Sequence, residues 1–196
     1  MEMSSTLSHL LDVVLPCVAE YEEAELELNS VVEAGDAVLR TEAEKKVKRR
    51  GAACAVAIDG LTDRAALEFG LSKTKVREAV GGLCTLPNDS NQLREKSLTR
   101  MEAIAVAHKH EIVSNPSLPL RSNADVLVCG AGWGIDTWGV GKYGGVELLA
   151  HTLDGGIHKV LGDVPAAVNG WAQFLKSRGV IMPGVQRIIC GLRVEI

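Results

Sequence analysis

Ala124-Asp125-Val126-Leu127-Val128-Cys129-Gly130-Ala131-Gly132-Trp133-Gly134 is the stretch on which the fold class turns. It resembles an apolar strand entering a glycine-rich turn, as in dinucleotide-binding folds. The third glycine of G-x-G-x-x-G falls on Ile135, so a following helix would lack its close-packing residue. The 62 residues after Gly134 read as helices and loops, without the successive strands that a doubly wound sheet requires. The stretch is therefore taken as a glycine-rich loop, and the chain as all-α.

Downstream, Val146, Leu149 and Leu153 recur at helical spacing before Gly155-Gly156, and Pro165, Val168, Trp171, Phe174 and Leu175 form a second stripe. Val185, Ile188, Ile189 and Leu192 also fit a helix, although Ile188-Ile189-Cys190 alone fits a strand. Upstream, Leu98, Met101, Ile104, Ala105 and Ile112 predict a helix. Near the N-terminus Leu7, Leu10, Leu11, Val14 and Val18 mark a first helix that Pro16 should break or kink. Tyr21, Ala24, Leu28, Val31 and Val32 continue to Gly35, which can close the second helix in a left-handed conformation. A third helix is expected from about Ala37 to Ile58, then a short one from Thr62 to Phe69 and another capped by Ser72. Thr85-Leu86-Pro87-Asn88-Asp89-Ser90-Asn91 has the composition of a connector. The expected architecture is two helical bundles, 1–84 and 93–196, joined by a linker at 85–92.

With 46% hydrophobic and 23% charged residues, the 196-residue chain has the composition of a globular protein rather than a disordered one. No run approaches the length of a membrane-spanning helix, and Glu2 to Ser8 lacks the character of a signal peptide. Five scattered cysteines without a C-x-x-C pair suggest reduced thiols. Aromatic residues, at 4%, are too few for stacking platforms. A net charge of −4 means that any polyanion affinity must come from a local patch.

Catalysis has no foothold. There is no Gly-x-Ser-x-Gly elbow and no P-loop, and His108 and His110 point apart on a helix. No catalytic residue, metal or cofactor is expected. Charge is the stronger signal. Met1 to Gly35 carries eight acids and no Lys or Arg, after which Lys45, Lys46, Lys48, Arg49 and Arg50 supply five cations in six residues. The spacing of Ala66, Gly70, Val76 and Val80 within 62–83 fits a helix-turn-helix, with Lys73, Lys75 and Arg77 facing nucleic acid. The eight cations joined in one patch would suit an anionic membrane surface, and the acidic and basic segments of different copies could pair into an open polymer.

The order of a first helix, the Leu15-Pro16 break, Ala24-Glu25, Val31-Val32-Glu33-Ala34-Gly35 and then Thr85-Leu86-Pro87 with Gln92-Leu93-Arg94 is similar to the orthomyxovirus matrix protein family. The length resembles its fish-infecting isavirus branch. The resemblance implies a non-enzymatic protein of the virion, found beneath the envelope, that self-polymerises on the membrane and bridges it to viral ribonucleoprotein. The basic helix usual after the linker is reduced here to Arg94, Lys96 and Arg100, and the family's Cys/His cluster is absent. A helix-turn-helix transcriptional regulator binding duplex DNA is the alternative.

Overall fold

The computed structural model describes residues 4–86, 92–130 and 145–196. Six α-helices dominate: α1 (Ser5–His9), α2 (Leu15–Ala34), α3 (Ala37–Phe69), α4 (Lys73–Gly81), α5 (Ser97–His110) and α6 (Val160–Ser177). The all-α expectation is overturned by five strands. Strands β1 (Val126–Gly130), β2 (Val146–His151) and β3 (Ile157–Lys159) form an antiparallel sheet, and β4 (Gln186–Ile189) pairs with β5 (Leu192–Glu195) in a separate hairpin.

The reason lies in burial. From Val146 to Ala150 every residue of β2 is buried, Glu147 included, so both faces of the strand are covered and it lacks the apolar–polar alternation that marks a half-exposed strand. The strand-like reading of Val126 to Gly130 is the correct one, whereas the glycine-rich continuation at 131–134 lies outside the described residues. Between β4 and β5 the chain reverses through Cys190-Gly191, both at positive φ, a turn matching the twist of paired strands.

Pro16 does not break the N-terminal helix. It sits at the start of α2 just after a π-helical turn, Leu10–Val14, that joins α1 to α2. The Leu15 amide reaches back to the Leu10 carbonyl, and this wider turn accommodates a ring that would collide with a regular α-helical carbonyl. Gly35 ends α2 in the left-handed region as expected. By contrast α3 does not stop near Ile58; Thr62 is buried in its interior.

This long α3 is the spine of the molecule, touching α1, α2, α4, α5, α6, β1 and β2. Gly51 lets the sheet lie on it, because a Cβ there would come within 2.3 Å of Leu148 Cδ2. The linker expected at 85–92 has its centre, 87–91, outside the described residues. Its ends are joined by a Thr85–Leu93 bridge and by the Arg94 amide donating to the Cys84 carbonyl. Buried side chains from both flanking segments, Tyr21, Ile58, Met101, Trp171 and Phe174 among them, belong to one hydrophobic cluster.

Candidate membrane and nucleic-acid interface

Helices α2 and α3 form an antiparallel hairpin about Gly35 and Asp36, the Asp36 carboxylate capping α3 by accepting from the Val38 and Leu39 amides. The acidic stretch is thereby laid along the basic one. Arg50 pairs with Glu20 at 2.6 Å and Lys46 pairs with Glu27, both across the hairpin. Within α3, Lys45 meets Glu42 at 2.7 Å and Arg40 meets Glu44 at 2.8 Å. Two acids of the N-terminal segment are thus neutralised by the basic run inside one hairpin, and two more acids pair with cations within α3 itself.

The second group of cations sits on α4. Gly70 turns the chain in the left-handed region, Ser72 caps α4 through the Lys75 amide, and Val76 and Val80 are buried, as the helix-turn-helix spacing requires. The cations, however, face carboxylates. Lys73 pairs with Asp63 at 2.6 Å, and Arg77 lies 3.2 Å from Asp59 and 3.1 Å from Glu102. Burial holds the Glu102 carboxyl above its ordinary value, and Arg77 offsets part of that rise.

These pairs place α4 beside residues 59–63 of α3. The ten residues from Arg49 to Asp59 span roughly 15 Å of helix, beyond a Debye length of about 8 Å at physiological salt. The eight predicted residues therefore form two groups, Lys45 to Arg50 and Lys73 to Arg77, rather than one patch. Among the described residues Lys48, Arg49 and Lys75 have no ion pair, and Arg49 and Lys75 are exposed.

No family model, curated protein or solved structure matches this chain. The interface is characterised by its own geometry. Every residue from Glu33 to Glu42 is exposed, so the end of the hairpin stands out from the body. It carries two apolar side chains, Val38 and Leu39, with 78% and 55% of their surface in solvent. From Asp36 to Arg50 there are six cations against three acids. Among the described residues no helix is long and apolar enough to cross a membrane, and no group of three His, Cys, Asp or Glu side chains could hold a metal ion.

Two buried polar clusters escaped the sequence reading. In the first, Glu25 of α2 reaches the sheet. Its Oε1 accepts from the Tyr21 hydroxyl at 2.7 Å and the Leu148 amide at 3.1 Å, while Oε2 is buried without a partner. Burial pushes this carboxyl up to about 7, with the nearby Glu147 adding to the rise. One turn later, the Asn29 side chain accepts from the Val146 amide and donates to the Val146 carbonyl, as a neighbouring strand would. The spacings match: four residues of helix rise about 6 Å and two residues of strand about 6.8 Å. In the second cluster, Asp163, fully buried in α6, accepts from Arg94 at 2.6 Å and from two nitrogens of Arg100 at 2.7 Å. Both clusters join residues more than 60 positions apart, a relation no local motif announces.

Proposed function

We propose that this chain is a non-enzymatic assembly protein that seats on an anionic membrane surface, self-associates there and bridges it to ribonucleoprotein. The assignment draws its biological setting, a viral matrix, from the resemblance to the orthomyxovirus family. The observation that carries the membrane contact is the exposed hairpin end, where Val38 and Leu39 stand about two to three turns before Lys45, Lys48 and Arg49 on the same helix. Exposed apolar side chains followed by cations suit the boundary between headgroups and acyl chains, with each cation near an anionic leaflet contributing about 1 kcal/mol. The regulator reading is less favoured, because Lys73 and Arg77 are each held by carboxylates of the protein itself.

The test is flotation with liposomes of graded phosphatidylserine content, run beside gel shifts with single-stranded RNA and duplex DNA. Flotation that rises with anionic lipid and falls with salt is expected, and the double change Lys48→Glu with Arg49→Glu should abolish it while helical content is kept. Duplex DNA binding without flotation would replace this reading with the regulator.

A further inference from the structure

The outward face of α3 has an order of side chains that is complementary to itself. Val38, Glu42, Lys45 and Arg49 follow one another at intervals of four, three and four residues. At 3.6 residues per turn they lie within roughly 60° of one another. Val47, on the opposite side of the helix, is buried in the core. All four stripe residues are exposed, and the stripe ends where Ala52 is buried. From these observations we infer that a second copy of this chain docks on the stripe, antiparallel and related by a two-fold axis between Ala43 and Glu44.

That axis sets Glu42 of each copy opposite Lys45 of the other, and Val38 opposite Arg49. Both Glu42–Lys45 contacts are attractive. Each Arg49 also lays its aliphatic stem over a valine that otherwise leaves 78% of its surface in water. A contact between identical patches has this reciprocal form. In the single chain Glu42 and Lys45 already meet at 2.7 Å, but both are more than two-thirds exposed, so that intrahelical pair is weak enough to be shared with a partner. On acidic α2, by contrast, Glu20 and Glu27 are already engaged by Arg50 and Lys46 of the same chain. The contact inferred here is closed and symmetric, unlike the head-to-tail pairing of acidic and basic segments expected from the sequence. Because Val38, Lys45 and Arg49 also belong to the proposed membrane contact, the docked pair and the membrane-seated molecule are alternative states, and an extended array on a membrane would need a second, different contact.

The docking rests on no lipid contact and is tested without vesicles, by sedimentation equilibrium of the full chain at low salt. Wild type should dimerise reversibly. Glu42→Lys gives a stripe with two lysines and Lys45→Glu a stripe with two glutamates. Each variant alone should lose about tenfold or more in association constant, because like charges then face one another across the axis. An equimolar mixture of the two variants should recover association to at least the wild-type level, since every cross-contact is again attractive. An effect confined to the intrahelical pair cannot produce that recovery. A wild-type chain that stays monomeric, single variants that dimerise unchanged, or a mixture no better than its components would each overturn the inference. Flotation that persists in such a monomer would leave the membrane reading standing.

Discussion

The α2–α3 hairpin places two kinds of charge a few turns apart. On its outer side, Lys46–Glu27, Arg50–Glu20 and Lys45–Glu42 lie at the surface, where an ion pair is worth about 0–1 kcal/mol and is screened by salt. At mid-length, Glu25 points inward with one oxygen unpartnered, and beyond the hairpin Asp163 is enclosed by two guanidinium groups. The difference teaches where a charge is free to change partners. The surface pairs, two across the hairpin and one within α3, are loose enough for a second molecule or a lipid headgroup to compete, whereas the buried groups bind elements of the fold to each other and leave no room for a competitor.

That contrast can be broken most severely at Arg100. Arg100→Met leaves Asp163 with Arg94 alone in a buried position, and a loss of about 3–5 kcal/mol is expected in urea denaturation. Glu25→Gln should act in the other direction. With the carboxyl raised from about 4.5 to about 7 in the folded state, its stabilising contribution is complete below 4.5 and is lost as pH rises through 7. The loss is on the order of 3 kcal/mol at pH 9. The glutamine variant keeps an acceptor for Tyr21 and Leu148, so its melting temperature should be flatter than the parent's between pH 5 and 9 and higher above pH 7. Gly51→Ala forces a methyl against Leu148 and should cost about 1–3 kcal/mol by the same urea assay. At the surface, a double-mutant cycle on Glu20→Gln and Arg50→Gln should return less than about 1 kcal/mol of coupling, and a coupling above 2 kcal/mol would erase the distinction between the regions.

Features set by neighbours in the chain were legible. Gly35 ending α2, Ser72 capping α4 and the burial of Val76 and Val80 all follow from local spacing, and all are observed. Strand β2 was not, because burial on both faces removes its periodicity, and a run such as Val146, Leu149, Leu153 then satisfies a helical template equally well. The cations were identifiable as residues but not as a surface. Whether Lys46 faces solvent or Glu27 depends on a hairpin that brings together positions 19 apart, and whether Arg77 is available depends on Asp59 and Glu102. Nothing in the sequence near Glu25 indicates a strand amide 123 residues away.

The Asn29 amide on Val146 also bears on how the chain reaches its fold. Strand β3 covers β2 only from Leu149 to His151, and the backbone of β2 before it is taken up by side chains of α2. The α2 helix is thus a template, and β2 is seated in register against a ruler made of two side chains on consecutive turns. Both bonds close loops of well over a hundred residues, the kind of contact that forms late because chain entropy opposes it until the intervening elements are in place. The helical framework should therefore gain amide protection in pulsed hydrogen exchange before the sheet does. Asn29→Ala should delay protection at Val146 and Leu148 more than it delays protection within α3.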